Sequence, residues 1–412
     1  MVLCKFPMAY VTVKTSMEWY PARLMYAARM NGASGFNAWR SIQLPLCIPA
    51  YCSAAMLIFM DTVGDYGMSS TVTAVYSFPT LPYTIYSAIC SSPARFDMAG
   101  ILSLYLMVMI VIAMIIQYIA MGKRKYDFLD NGTKQVVPTK VGKVSSFFLS
   151  FATIIFAVIA LGIPVGSNLI MSFSSSISIK GFSFTMDNYK EVFLGSGRMI
   201  SGIRHSLILA AVAAIIGIIV GFTVAYVLTY SNFKLKKFID MITLIAMAVP
   251  GVVLGIGYIF VWNQKWLTNI GLHLYGKPSI LVLASVAAAI PLINRILVGG
   301  MAKIPKTLLV AAQMQGAGLL TKMKTVLLPL IHNSTVSAVL AAFGGSVFNL
   351  AITTILYPPN YSTLPVYISD AYNDLEFGYA AAATIIGGAF IVGIMLILET
   401  VLNIGQSKKK GK

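Results

Sequence analysis

Acidic side chains are scarce: 13 Asp and Glu stand against 30 Lys and Arg in 412 residues, with three His and four Cys. Charged residues make up 10% of the chain and hydrophobic ones 58%, at a mean hydropathy of +0.81. That balance excludes a soluble domain and indicates a multi-span membrane protein. His205, His273 and His332 are isolated in sequence and form no ligand pattern. Cys4, Cys47, Cys52 and Cys90 have neither metal nor redox spacing and read as small apolar residues in or near spans. No Gly-x4-Gly-Lys-Ser/Thr phosphate loop occurs, and no nucleophile–base pair or carboxylate dyad. The chain is therefore expected to catalyse nothing itself and to bind no cofactor or metal. No secretory leader pattern opens it. The net charge of +17 would suggest nucleic acid in a soluble protein. Here the positive residues cluster at 123–143, 234–237, 303–324 and 408–412, between apolar runs, so they report topology and contact with anionic lipid headgroups.

What is present is a stretch that occurs twice. Tyr26-Ala27-Ala28, three residues, Gly32, nine residues and Ile42-Gln43-Leu44-Pro45 return as Val310-Ala311-Ala312, Gly316 and Val326-Leu327-Leu328-Pro329. One offset of 284 also matches Pro7 with Pro291, Met17 with Met301, Pro21 with Pro305, Leu24 with Leu308 and Met30 with Met314, then Ala54 with Ala338 and Phe59 with Phe343. Chance identity is roughly one in fifteen per position, so the gap-free run is an internal duplication. Each copy reads as a helix, a break at Gly, and a second helix closed by Pro where an apolar run begins. Arg23, Arg29 and Arg40 decorate the first copy and Lys303, Lys306, Lys322 and Lys324 the second, which predicts two cytoplasmic loops, 14–45 and 300–329.

Hydropathy predicts spans at 46–63 and 101–121 in a first half (1–121), a charged linker at 122–145, and a second half (146–403) followed by a basic tail at 404–412. The second half has six predicted spans, at 146–170, 203–229, 238–261, 279–298, 334–357 and 379–402. Lys408-Lys409-Lys410 predicts a cytoplasmic C-terminus. Between the two spans of the first half, Phe78-Pro79-Thr80-Leu81-Pro82 and Ser92-Pro93 read as breakers in an outer segment. Residues 1–13 are too short to cross a bilayer alone, and their match to the span around Pro291 marks them as the tail of an equivalent span. On that register roughly 140 residues of the first half are expected to be missing, an N-terminally truncated fusion of two halves.

The paired loops resemble the EAA loop of ABC importer permeases, the inner membrane components of binding-protein-dependent transport systems. That resemblance implies an all-α polytopic membrane protein with the architecture of a type I ABC importer transmembrane domain, one six-span half being complete and the first partial. It also implies that Tyr26, Ala27, Ala28, Gly32, Leu44 and Pro45, with Val310, Ala311, Ala312, Gly316, Leu328 and Pro329, form the coupling elements that dock on an ATPase. The family's leading Glu is replaced by Tyr26 and Val310. Met186-Asp187-Asn188-Tyr189 resembles the Asp-Asn-Tyr signature of these permeases. Pro250-Gly251-x3-Gly255-x-Gly257 and Leu356-Tyr357-Pro358-Pro359-x3-Thr363-Leu364-Pro365 look most like the ferric-iron branch, which is related to aminoethylphosphonate, thiamine and polyamine permeases. The implied partners are a cytoplasmic ATPase dimer that binds ATP and Mg, an extracytoplasmic substrate-binding protein, the lipid membrane of a plasma (inner) membrane, and a chain supplying the missing spans; nucleic acid is not expected.

Asp61, Asp65 and Asn349, the last being the offset partner of Asp65, are candidates for lining a central pathway, or else sit hydrated at the outer interface. Pro250 and Gly251 mark either a gate or close helix packing. Asp61 and Asp65 would suit a cation, whereas Arg198 and Arg204 would attract an anion. An ion-coupled secondary transporter is the rival from another class, and it leaves the duplicated cytoplasmic loop unexplained; a non-functional relic is a third reading.

Overall fold

The computed structural model describes residues 2–18, 26–28, 30–122, 142–175, 183–195 and 197–410. Pro21, Arg23, Leu24, Arg29 and nearly all of the 122–145 linker lie outside the described residues, as do the side chains of the basic tail. Among the described residues every regular element is a helix, apart from one isolated bridge between Ser174 and Phe184. That is the expected answer of a chain this apolar, because a helix satisfies its own backbone groups where no water is available.

Among the described residues, five helices are long and apolar enough to cross a membrane: Phe96–Gln117, Lys143–Ser172, Arg198–Tyr230, Pro278–Met301 and Phe377–Asn403. Two predicted spans are broken, the first at Pro250-Gly251, where proline is expected to kink the helix. Residues 238–261 form Lys236–Ala248 and Gly251–Trp262, bent by 108°, because Val249 and Pro250 are both extended (ψ 118° and 144°) and proline withholds the N–H that would continue the helix. Residues 334–357 form His332–Val347 and Leu350–Leu356. There Asn349 leaves the helical region (ψ 99°) and its side-chain oxygen accepts from Ile352 N at 2.9 Å, starting a new helix.

The chain divides into two compact units, 1–166 and 167–412. In the first, Val2–Glu18 packs on Leu44–Val63, and Leu81–Cys90 on Phe96–Gly122. The outer segment is more ordered than its breakers suggested. It holds Tyr66–Tyr76, capped by Asp65, and Leu81–Cys90, whose Pro82 lies in the first turn, where proline costs no hydrogen bond.

In the second unit, Arg198–Tyr230, Pro278–Met301 and His332–Val347 pack on one another around Ile293, Leu297, Met301, Ala338 and Ala342. Small residues set the approach. A Cβ on Gly217 or Gly221 would lie 2.7 or 2.6 Å from an Ile293 methyl, and one on Gly300 would lie 2.5 Å from Ser334 Oγ.

Candidate functional site

The duplicated elbows are where two distant parts of the chain build the same geometry. In the second, Lys306–Met314 ends as Gln315 N donates to Ala311 O (3.3 Å) and Ala317 N to Ala312 O (3.0 Å), with Gly316 at φ +80°. In the first, Asn31 N donates to Ala27 O (3.1 Å) and Ala33 N to Ala28 O (3.0 Å), with Gly32 at φ +79°. Both glycines hold the left-handed conformation that closes a helix and that a side chain disfavours. Ser34 and Gly318 then open the next helix in each copy.

That helix widens into a single π turn at Trp39–Gln43 and at Met323–Leu327, again 284 apart. Leu44 N donates to Trp39 O and Leu328 N to Met323 O. The wide turn falls just before Pro45 and Pro329, the residues with no N–H to give, so the ladder shifts register where it would otherwise break. The predicted order of helix, break and second helix is found in both copies.

Each elbow exposes an apolar knob that the sequence reading did not single out as a site residue. Met30 is 89% and Met314 84% exposed, with Tyr26 and Phe36 beside the first and Val310 and Leu320 beside the second. Beneath them the second elbow is anchored: Leu309, Leu327 and Ile331 are buried, and Tyr230 donates to Met301 O at 2.8 Å. Lys322 Nζ donates to Gln313 Oε1 at 3.1 Å, bracing the two limbs. The signal for Met30 and Met314 was present as an identity at the common offset, but methionine in so apolar a chain attracts no notice.

The pathway candidates are placed differently. Asp65 caps Tyr66–Tyr76 by accepting from Met68 N at 3.1 Å, the counterpart of the Asn349 bond to Ile352 N, and both side chains work on their own helix starts. Lys5 Nζ lies 2.5 Å from Asp61 and 3.0 Å from Asp65, so the two carboxylates share one ammonium and offset only part of their charge against it. Among the described residues, no group of three or more His, Cys, Asp or Glu could hold a metal ion. Pro250 is buried, and Gly251 and Gly255 meet Ala351, Ile352 and Ile355, where a Cβ would come within 2.9 to 3.3 Å. Those glycines pack one half of a broken span on another. Arg295 pairs with Asp240 at 2.9 Å, fastening Lys236–Ala248 to Pro278–Met301.

Around the Asp-Asn-Tyr segment, Asn188 donates to Ser172 O (2.9 Å) and Ser174 O (2.8 Å), while Tyr189 shares a hydrogen bond with Ser172. Leu364 N donates to Ser206 Oγ (2.9 Å), and His205 stacks on Tyr361 at 3.8 Å with Nδ1 3.0 Å from Ser362 O. Both sequence signatures therefore act as clasps between helices, and His205 is a structural residue.

Among the described residues the fold is that of an all-α, polytopic membrane protein. Residues 213–409 match the family described as binding-protein-dependent transport system inner membrane component. The chain is 24% identical over 406 residues to the ferric transport system permease protein FbpB of Actinobacillus pleuropneumoniae, covering 96% of this chain and 56% of that one. It is 25% identical over 358 residues to a putative ferric transport permease of Haemophilus influenzae, covering 83% and 53% respectively. The chain thus spans about half the length of these curated relatives. The fold is also that of a bacterial ABC transporter involved in alginate import (TM-score 0.53, 16% identity, covering 64% of this chain and 96% of that one). With its several span-length apolar helices the chain is a multi-pass membrane protein.

Proposed function

We propose that the chain is the membrane subunit of an ATP-driven importer for ferric iron or a related small solute, and that its two elbows are the points at which a separate pair of ATPases grips it. The observation that carries this reading is the pair itself. Two loops 284 residues apart repeat the same glycine conformation, hydrogen bonds and π turn, and each presents an exposed methionine with no partner of its own. An exposed apolar knob on a rigid, basic loop fits a groove in another protein better than it fits water or lipid. ATP and Mg then belong to the ATPases. Closure of the pair draws the elbows together and turns the pathway outward, toward a solute delivered by a substrate-binding protein on the far side, with the C-terminus on the ATPase side.

Iron is favoured because two of the relatives matching most of the chain carry ferric transport names. Aminoethylphosphonate, thiamine or polyamine transport by the same machinery is the alternative. Asp61 and Asp65 share the Lys5 ammonium, so they are engaged in an ion pair rather than set out as an open cation site.

The test is co-purification of the tagged chain from its own membranes, with ABC ATPase subunits identified by peptide mass. Gly316→Glu and Met314→Glu should each strip the ATPase, whereas Arg198→Ala on the far side should leave it bound. Retention after Gly32 and Gly316 are both replaced by Glu would favour an ion-coupled carrier instead.

A further inference from the structure

In the first unit, Val2–Glu18 and Leu44–Val63 leave between them an open apolar groove of about 830 Å³, lined by Phe6, Ala9, Tyr10, Val13, Tyr51 and Ala54 among others. Phe6, Tyr10 and Tyr51 stand exposed along it, and Phe156 meets Phe6 at one rim with ring centroids 4.6 Å apart. Lys14 Nζ lies 5.8 Å from the Tyr10 ring, so the lining carries one amine in otherwise apolar surroundings.

The duplication shows what belongs there. Shifted by 284, Ala9, Val13, Ala54 and Ile58 become Ile293, Leu297, Ala338 and Ala342, each 2% exposed or less. The element covering them is the apolar helix Arg198–Tyr230, whose Gly217 and Gly221 lie directly on Ile293. The first unit thus has the same two-helix floor without its cover, and among the described residues no second helix of that kind lies over it. Its relief is rearranged, alanine standing where the second unit has Ile293 and Ile58 where it has Ala342. A second copy of this face would set hollow against hollow, so a convex helix is the better complement.

We propose that this groove is the docking seat of an apolar membrane helix of the same kind as Arg198–Tyr230. The inference rests on the duplication alone and stands whether or not the importer reading holds.

The experiment uses the full chain in lipid nanodiscs with Tyr10→p-benzoylphenylalanine, a swap that keeps an aromatic ring in the groove. The probe is a biotinylated synthetic peptide of residues 198–230, compared with a scrambled peptide of the same composition. The expected result is a photo-adduct about tenfold stronger with the native peptide than with the scrambled one, a ratio set by about 1.4 kcal/mol of specific helix packing. Tyr105→p-benzoylphenylalanine, on the exposed side of Phe96–Gly122, should show no such preference. Ala55→Trp, at an exposed position in the lining, should block the groove and lower the Tyr10 adduct. Equal adducts with both peptides would mean that lipid fills the groove, and a chain-to-chain adduct persisting with peptide present would mean that a second copy does. Either overturns the proposal.

Discussion

At Asp65 and at Asn349 the chain builds the same turn from different chemistry. Each residue leaves a long helix, accepts from the amide three residues on (3.1 and 2.9 Å), and offers its own carbonyl to a hydroxyl one turn ahead, Ser69 in one copy and Thr353 in the other. The backbone needs only a short side chain with an oxygen at the cap, and Asp or Asn serves equally. What differs is the surroundings. In the first unit Lys5 lies against Asp61 and Asp65, while the counterparts of Lys5 and Asp61 in the second are Ala289 and Gly345. The shared turn is a property of the duplicated scaffold, and the ion triad is an addition made in one copy alone.

The largest test of that distinction is Lys5→Ala. Without the ammonium, two carboxylates are left four residues apart in a half-buried setting. The first unit should lose about 2–3 kcal/mol, less than the 3–5 kcal/mol of a fully buried pair, because Asp61 keeps 46% of its side-chain surface. Cys47 is buried in the same unit, so its rate of maleimide labelling reads the opening. An unchanged rate would show that the triad does not hold that unit together.

Next in size is the contrast between two changes at one position. Asp65→Ala removes both cap and ion pair and should cost about 1–2 kcal/mol. Asp65→Asn copies the second unit, keeps the cap, and leaves Lys5 with Asp61, so its cost should stay under about 0.5 kcal/mol. If Asn proves as harmful as Ala, charge rather than capping sets the turn and the comparison of the two copies fails.

Smaller again is Gly316→Ala, which forces a side chain into φ +80° with open space around it. Strain alone should cost about 1 kcal/mol. The matching Gly32→Ala should cost the same, since its geometry agrees to within a degree of φ. A difference of more than twofold in the exchange protection of the two elbows would show that their likeness is superficial.

How much of this was legible beforehand follows from what each signal reports. The elbows were readable because a glycine at positive φ and a proline without an N–H each leave a fixed mark, and the duplication printed both marks twice. A kink was legible at Pro250-Gly251, but neither its 108° nor the break after Val347 was, because hydropathy averages over a window and a bend leaves the average untouched. The helix Leu81–Cys90 was hidden by Pro82, read as a breaker although it occupies the first turn. Lys5 looked like a flaw in an apolar stub. Only folding shows that Leu44–Val63 returns two carboxylates to it.

The second unit has a charge cluster of its own, on the outer segment, and it should answer to acid. Asp187 accepts from the Thr185 hydroxyl at 2.8 Å and pairs with Lys190 at 3.2 Å. The hydroxyl bond first, and then the ammonium, hold its carboxyl below the usual carboxylate range. A folded-state pKa lowered in this way gives stability that is present above the ordinary carboxylate value and is lost as pH falls through the lowered one. The effect is small at so exposed a site. Amide exchange across Asp187–Leu194, normalised to intrinsic rates, should therefore stay flat down to the ordinary carboxylate range and loosen only beneath it. Asp187→Asn should abolish the acid step and leave the Asn188 clasp on Ser172 and Ser174 intact. Loosening that begins at higher pH, or that survives in the Asn variant, would assign the response to another group and separate this segment from its carboxylate.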